Sequence, residues 1–130
     1  MGVDITPTST SSKILVWGHI GAYCDTSASI PHFRLMRDDT TSIGQHETVA
    51  NKILSHTSMY VGDVSLTTEN VLINIPFNYL DSPATTSSTN YSIYGRGLST
   101  YTMYLNRTAA DRDNVDARVV STITAMEILP

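Results

Sequence analysis

The polar and apolar positions of this chain alternate with a period of two in several places, and the clearest run is Val71–Gly97. There Ile73, Ile75, Phe77 and Tyr79 fall on one side and Asn74, Pro76 and Asn78 on the other, the pattern of a strand with one face buried and one face wet. The alternation stops at Leu80-Asp81-Ser82-Pro83, passes through small and hydroxyl residues, and resumes at Tyr91-Ser92-Ile93-Tyr94 before Gly95-Arg96-Gly97. Two strands joined by a polar connection are expected.

Lys13–Ile20 differs, because both of its sides are apolar: Ile14 and Val16 share one, Leu15, Trp17 and His19 the other. Such a strand is covered on both faces, and another subunit could supply the second cover. Ala117–Leu129 is two-faced in the same way, with Val120, Thr122, Thr124, Met126 and Ile128 on one side and Val119, Ser121, Ile123, Ala125, Glu127 and Leu129 on the other.

Around these, Ile5-Thr6-Pro7 up to Ser12 reads as an approach or edge strand, since Pro7 cannot donate to a ladder. Gly18 and Gly21 permit a bulge or bend. His32–Asp38 reads as a strand, Asp38-Asp39-Thr40-Thr41 as its turn, and Ser42–Gln45 as a short hairpin partner. Met59–Val64 and Tyr101–Arg107 complete the set, and the one helical candidate, Glu47–Leu54, is at most two turns long. About eight strands with turn signals between them predict an all-β fold, an antiparallel β-sandwich, over a single domain spanning residues 1–130.

Composition sharpens this picture. Ser and Thr make up about a quarter of the chain, only 15% of residues are charged, and the net charge is −4. With few basic residues and no cluster of them, nucleic acid is excluded as a partner, because its phosphates need Lys and Arg to displace counterions. No stretch approaches the roughly twenty apolar residues of a membrane helix, so no membrane insertion is expected. The single Cys24 cannot pair within the chain and reads as a packed thiol.

Little chemistry is visible. The four histidines, His19, His32, His46 and His56, are scattered, so a zinc site would have to be assembled from loops. Asp111, Asp113 and Asp116 alternate as calcium ligands can, but Val115 interrupts the pattern and neither the glycine nor the twelfth-position Glu of an EF-hand follows. A solvated loop is the plainer reading. Asn90-Tyr91-Ser92 and Asn106-Arg107-Thr108 match the short glycosylation pattern. Seven tyrosines against two phenylalanines, with Tyr91, Tyr94, Tyr101 and Tyr104 close in sequence, suit interfaces or sugar stacking as well as ordinary strand packing. No residue presents itself as catalytic or as a metal ligand, no cofactor is expected, and no ligand-binding residue can be singled out.

Four segments carry a resemblance: Ile5–Val16 (ITPTSTSSKILV), Leu80–Gly97 (LDSPATTSSTNYSIYGRG), Tyr104–Arg107 (YLNR) and Ser121–Leu129 (STITAMEIL). In this order they resemble the C-terminal β-sandwich domain of tail-fibre and other virion structural proteins of marine tailed bacteriophages. The match covers most of the chain and is weakest across 18–69. The resemblance implies a jelly-roll-like topology and a non-enzymatic module in the virion, made in the host cytoplasm, as a fibre tip or a capsid appendage. It also implies a homotrimer with the strands of both termini near its axis, other virion proteins as neighbours, and loops presented to a bacterial surface glycan or protein receptor. An upstream shaft of a longer fibre protein would fit the short opening Met1-Gly2-Val3. The rival functions are a carbohydrate-binding module acting outside a virion and a small hydrolase on the same scaffold.

Overall fold

The computed structural model describes residues 1–24, 31–45, 50, 53–58, 72–96 and 102–130. The described residues form nine strands: β1 (Gly2–Ile5), β2 (Lys13–Cys24), β3 (His32–Arg37), β4 (Thr41–Ile43), β5 (Thr57–Ser58), β6 (Ile73–Asp81), β7 (Thr89–Arg96), β8 (Met103–Leu105) and β9 (Thr122–Ile128). No helix occurs among the described residues. One sheet has the order β1-β7-β3-β4, with β5 also paired to β3; the other has the order β6-β2-β8, with β9 also paired to β2. Every pairing is antiparallel. The chain passes back and forth between the sheets, from β1 to β2, β2 to β3, β5 to β6, β6 to β7 and β7 to β8, which makes the sandwich jelly-roll-like.

The inner faces follow the period-two pattern. Ile14, Val16, Ile20 and Ala22 of β2 and Ile75 and Phe77 of β6 meet Phe33 and Leu35 of β3, Ile43 of β4, and Tyr91 and Ile93 of β7, all buried. A polar tie crosses this core. The Tyr91 hydroxyl donates to Asp81 Oδ2 at 2.7 Å, and Arg37 Nη1 donates to both Asp81 oxygens at 3.0 and 2.8 Å. Burial and the Asp81 carboxylate push the Tyr91 hydroxyl far above its ordinary pKa, so it stays a donor. Because β3 and β7 belong to one sheet and β6 to the other, these three side chains fasten the layers together.

The β3–β4 hairpin turns through Asp38 and Asp39, both at positive φ (51° and 58°), a region Asp enters more easily than most residues. Asp38 also accepts the Asn90 amide at 2.9 Å and donates its own to the Asn90 carbonyl at 2.8 Å, which holds the turn against β7.

Several expectations need correcting. Gly18 and Gly21 do not bend the chain: β2 runs unbroken over 12 residues. The glycines allow close approach instead, since a Cβ at Gly18 would collide with the Thr122 carbonyl and the Phe77 ring, and one at Gly21 with the Val119 side chain. The first strand is Gly2–Ile5, an edge strand on β7, and Pro7 lies buried in the loop after it. The last strand begins at Thr122 rather than Ala117. The candidate helix at Glu47–Leu54 falls, apart from Ala50, Ile53 and Leu54, outside the described residues, as does the strand expected at Met59–Val64.

Candidate functional site: the outer face of the second sheet

β2 lies between β6 and β9 over its first half, and the register sets the outward side chains in rows. Leu15 stands between Leu80 and Met126, Trp17 between Asn78 and Thr124, and His19 between Pro76 and Thr122, while Lys13 faces Ile128. The two-faced pattern is thereby resolved: Ile14 and Val16 point into the core, and Leu15 and Trp17 point out. In β9 the outward set is Thr122, Thr124, Met126 and Ile128.

Leu80, Leu15, Met126, Ile128 and Trp17 form one apolar cluster at the end of the face nearest Lys13. Leu80 is 45%, Met126 47%, Ile128 40% and Trp17 36% exposed. Cross-strand neighbours on one face lie about 5 Å apart, so these side chains are contiguous. From Trp17 onward its neighbours are mostly polar, first Asn78 and Thr124, then Thr122 beside Pro76, and then Asn74. His19 is held there between β9 and the segment before it. Its Nε2 faces the Val120 carbonyl at 2.7 Å, which can only accept, so this nitrogen carries the proton; its Nδ1 lies 3.1 Å from the Thr122 hydroxyl. At the far end Tyr23 and Tyr104 pair at 6.1 Å between centroids, and the Arg107 guanidinium lies 4.7 Å from the Tyr104 ring centre.

The outer face of the first sheet is of another kind. Asp39 accepts the Ser92 hydroxyl at 2.6 Å, and the hydroxyls of Ser92 and Tyr94 hold its carboxyl below the ordinary range. Asn90 donates to Asp4 at 2.7 Å, and Arg34 Nε to the Leu54 carbonyl at 3.0 Å.

The candidate residues of the sequence are dispersed. His19 is on the outer face of the second sheet, and His32 is on β3, its pKa lowered by burial and then by Arg96 and Arg34. His56 faces the Gly44 carbonyl through Nδ1 at 3.1 Å and lies edge-on to Phe77 and Tyr79. His46, Tyr101 and the Cys24 side chain lie outside the described residues. Asp111 and Asp116 face arginines: Arg118 donates to both Asp111 oxygens at 3.0 and 2.6 Å, and Arg112 and Thr108 donate to Asp116. Asp113 is exposed in the same loop. Among the described residues no group of three or more His, Cys, Asp or Glu side chains is placed to hold a metal ion. The tyrosines do not form one surface, since Tyr91 is core, Tyr94 lies outside the first sheet and Tyr104 outside the second.

Leu80 is the member of the apolar cluster that the sequence pattern leaves unassigned. It continues the wet side of β6 after Asn74, Pro76 and Asn78, and an apolar residue at that position in the alternation is the available signal. No protein-family model matches this chain, and no curated protein matches its sequence.

Proposed function

We propose that this domain is a non-enzymatic structural module of a tailed-bacteriophage virion, a fibre tip or capsid appendage. In this reading it assembles as a homotrimer through the outer face of the second sheet and presents its loops to a bacterial surface. The observation that carries the reading is the apolar cluster of Leu15, Trp17, Leu80, Met126 and Ile128. A two-layer sandwich buries one face of each sheet, and contiguous apolar side chains on the other face favour cover by a second surface. Copies of the same chain fit, because β2 and β9, the strands nearest the two termini in the second sheet, supply four of the five residues. The segments that carry the resemblance to phage fibre domains include most of this cluster: Leu15, Leu80, Met126 and Ile128 all fall within them.

Light scattering on the purified chain tests this. The expected mass is three times the 14.2 kDa of one chain, and Met126→Glu, which places a charge in the contact, should reduce it to the single-chain value. A second reading, a carbohydrate-binding module, draws on Trp17 standing between Asn78 and Thr124, an aromatic surface beside polar groups. A chain that stays single and binds a glycan in a Trp17-dependent way would establish that reading instead.

A further inference from the structure

The long strand β2 changes partner partway along: β9 pairs with Lys13–His19 and β8 with Ala22–Cys24. Between them, at Ile20 and Gly21, neither strand completes the ladder, and the backbone of Gly21 is satisfied by two residues from the strand ends. Its carbonyl accepts the Asn106 amide at 2.9 Å, and its amide donates to the Ser121 hydroxyl at 3.0 Å. Against this seam, between the sheets, lies a cavity of about 310 Å³ lined by Met1, Ile20, Phe33, Ile93, Leu105, Asn106 and Ser121. Ile20 and Phe33 are buried and form its floor, while Met1 and Leu105 are exposed and form its rim.

Asn106 is fixed at this cavity by every group except one. Its backbone sits at φ 62°, its amide is bonded to Gly21, and its carbonyl accepts the Val119 amide at 3.1 Å. Its side-chain oxygen accepts the Ser121 hydroxyl at 2.5 Å, a separation typical of O–H···O and short for N–H···O, so the amide orientation follows from the contact. Its Nδ2 has no partner among the described residues. The cavity therefore offers a ligand apolar walls and borders Asn106, whose side-chain N–H donors have no partner among the described residues. Among the described residues no charged side chain lines it, and the walls at Ile20, Phe33, Ile93 and Leu105 favour an uncharged body.

We infer that this cavity is a binding site for a small uncharged molecule with an apolar body and a single carbonyl-type acceptor directed at Asn106 Nδ2. An apolar cavity of about 150 Å³ is enough for benzene, so the volume here suits a substituted ring of roughly ten heavy atoms. Water in such a cavity finds few polar partners, and its displacement by an apolar body is favourable. The site is independent of the outer face of the second sheet and of the assembly proposed through it.

Acetophenone and ethylbenzene, nearly the same shape with and without the acceptor, are suitable probes in an amide NMR titration of the whole chain. Both should give saturable shifts at Leu105, Asn106 and Ser121, with acetophenone about tenfold tighter and shifting the Asn106 side-chain amide. Asn106→Gly keeps the left-handed backbone accessible and removes the donor, so it should abolish the preference and leave ethylbenzene binding unchanged. Leu105→Trp should fill the cavity from its exposed rim and abolish both. Absence of saturable shifts with either probe in the unmodified chain would overturn the site. Equal affinity for the two probes would overturn the role of Asn106.

Discussion

The two sheets of this domain are alike inside and unlike outside. Both turn aliphatic and aromatic side chains inward at every second position. Outside, the first sheet carries mostly polar groups, several of which pair, Asp39 with Ser92 and Tyr94, Asn90 with Asp4, and Asp38 with the Asn90 backbone, beside His32 Nδ1 and the Ser42 hydroxyl, which are buried without a partner among the described residues. The second carries Leu15, Trp17, Leu80, Met126 and Ile128, which have no such partners to find in water. The first outer face is largely tied by its own hydrogen bonds, whereas the second leaves a contiguous apolar cluster on its surface. A sandwich can thus hold its core with both sheets while their outer faces differ in kind, and it is on that difference that the proposed assembly rests.

Substitutions separate these roles, and the largest effect belongs to the shared core. Phe77 is buried beneath Gly18 in β2, and Phe77→Ala should cost about 3–5 kcal/mol, a large share of a small domain's stability. Thermal or urea unfolding would measure it, and a melting temperature within a degree or two of the parent would mean the core is placed elsewhere. The tie between the sheets comes next. Tyr91→Phe removes the hydroxyl that Asp81 accepts and leaves that carboxylate to Arg37 alone, so a loss of about 1–2 kcal/mol in urea unfolding is expected.

The smallest effect belongs to the polar outer face, and it depends on pH. Hydrogen bonds from Ser92 and Tyr94 lower the Asp39 pKa in the folded state, so their stabilisation is present above the unfolded pKa near 3.8 and is lost as pH falls through the lower folded value. Ser92→Ala should lower the melting temperature slightly at pH 7, and the difference from the parent should shrink below about pH 4. A difference that grows in acid would reverse the sign of this argument.

Much of the fold is legible in the sequence because alternation survives in the strands that make the core. Ile73, Ile75, Phe77 and Tyr79 read as one side of β6, and Lys13–Ile20 reads as a strand with apolar residues on both sides, as β2 has. Which of its sides faces inward does not follow from period two alone, since both sides are apolar. The choice falls to Gly18, which shares a side with Ile14 and Val16 and leaves room there for Phe77 and the Thr122 backbone. The Asp81, Arg37 and Tyr91 cluster joins residues up to 54 positions apart (91 − 37) across two sheets, and no local pattern encodes it. The seam at Gly21 is hidden for the same reason, because it depends on where β8 ends and β9 begins.

The chain has a single tryptophan, and Trp17 stands in the apolar cluster, so its fluorescence reports on that face alone. If copies of the chain cover the face, the emission of the native protein at micromolar concentration should be blue-shifted and protected from acrylamide. Leu80→Glu, on the neighbouring strand and away from the core, should shift it to the red and open it to the quencher together with the fall in mass. Emission from the parent that is already red-shifted and freely quenched, and that Leu80→Glu leaves unchanged, would contradict the assignment of this face to assembly.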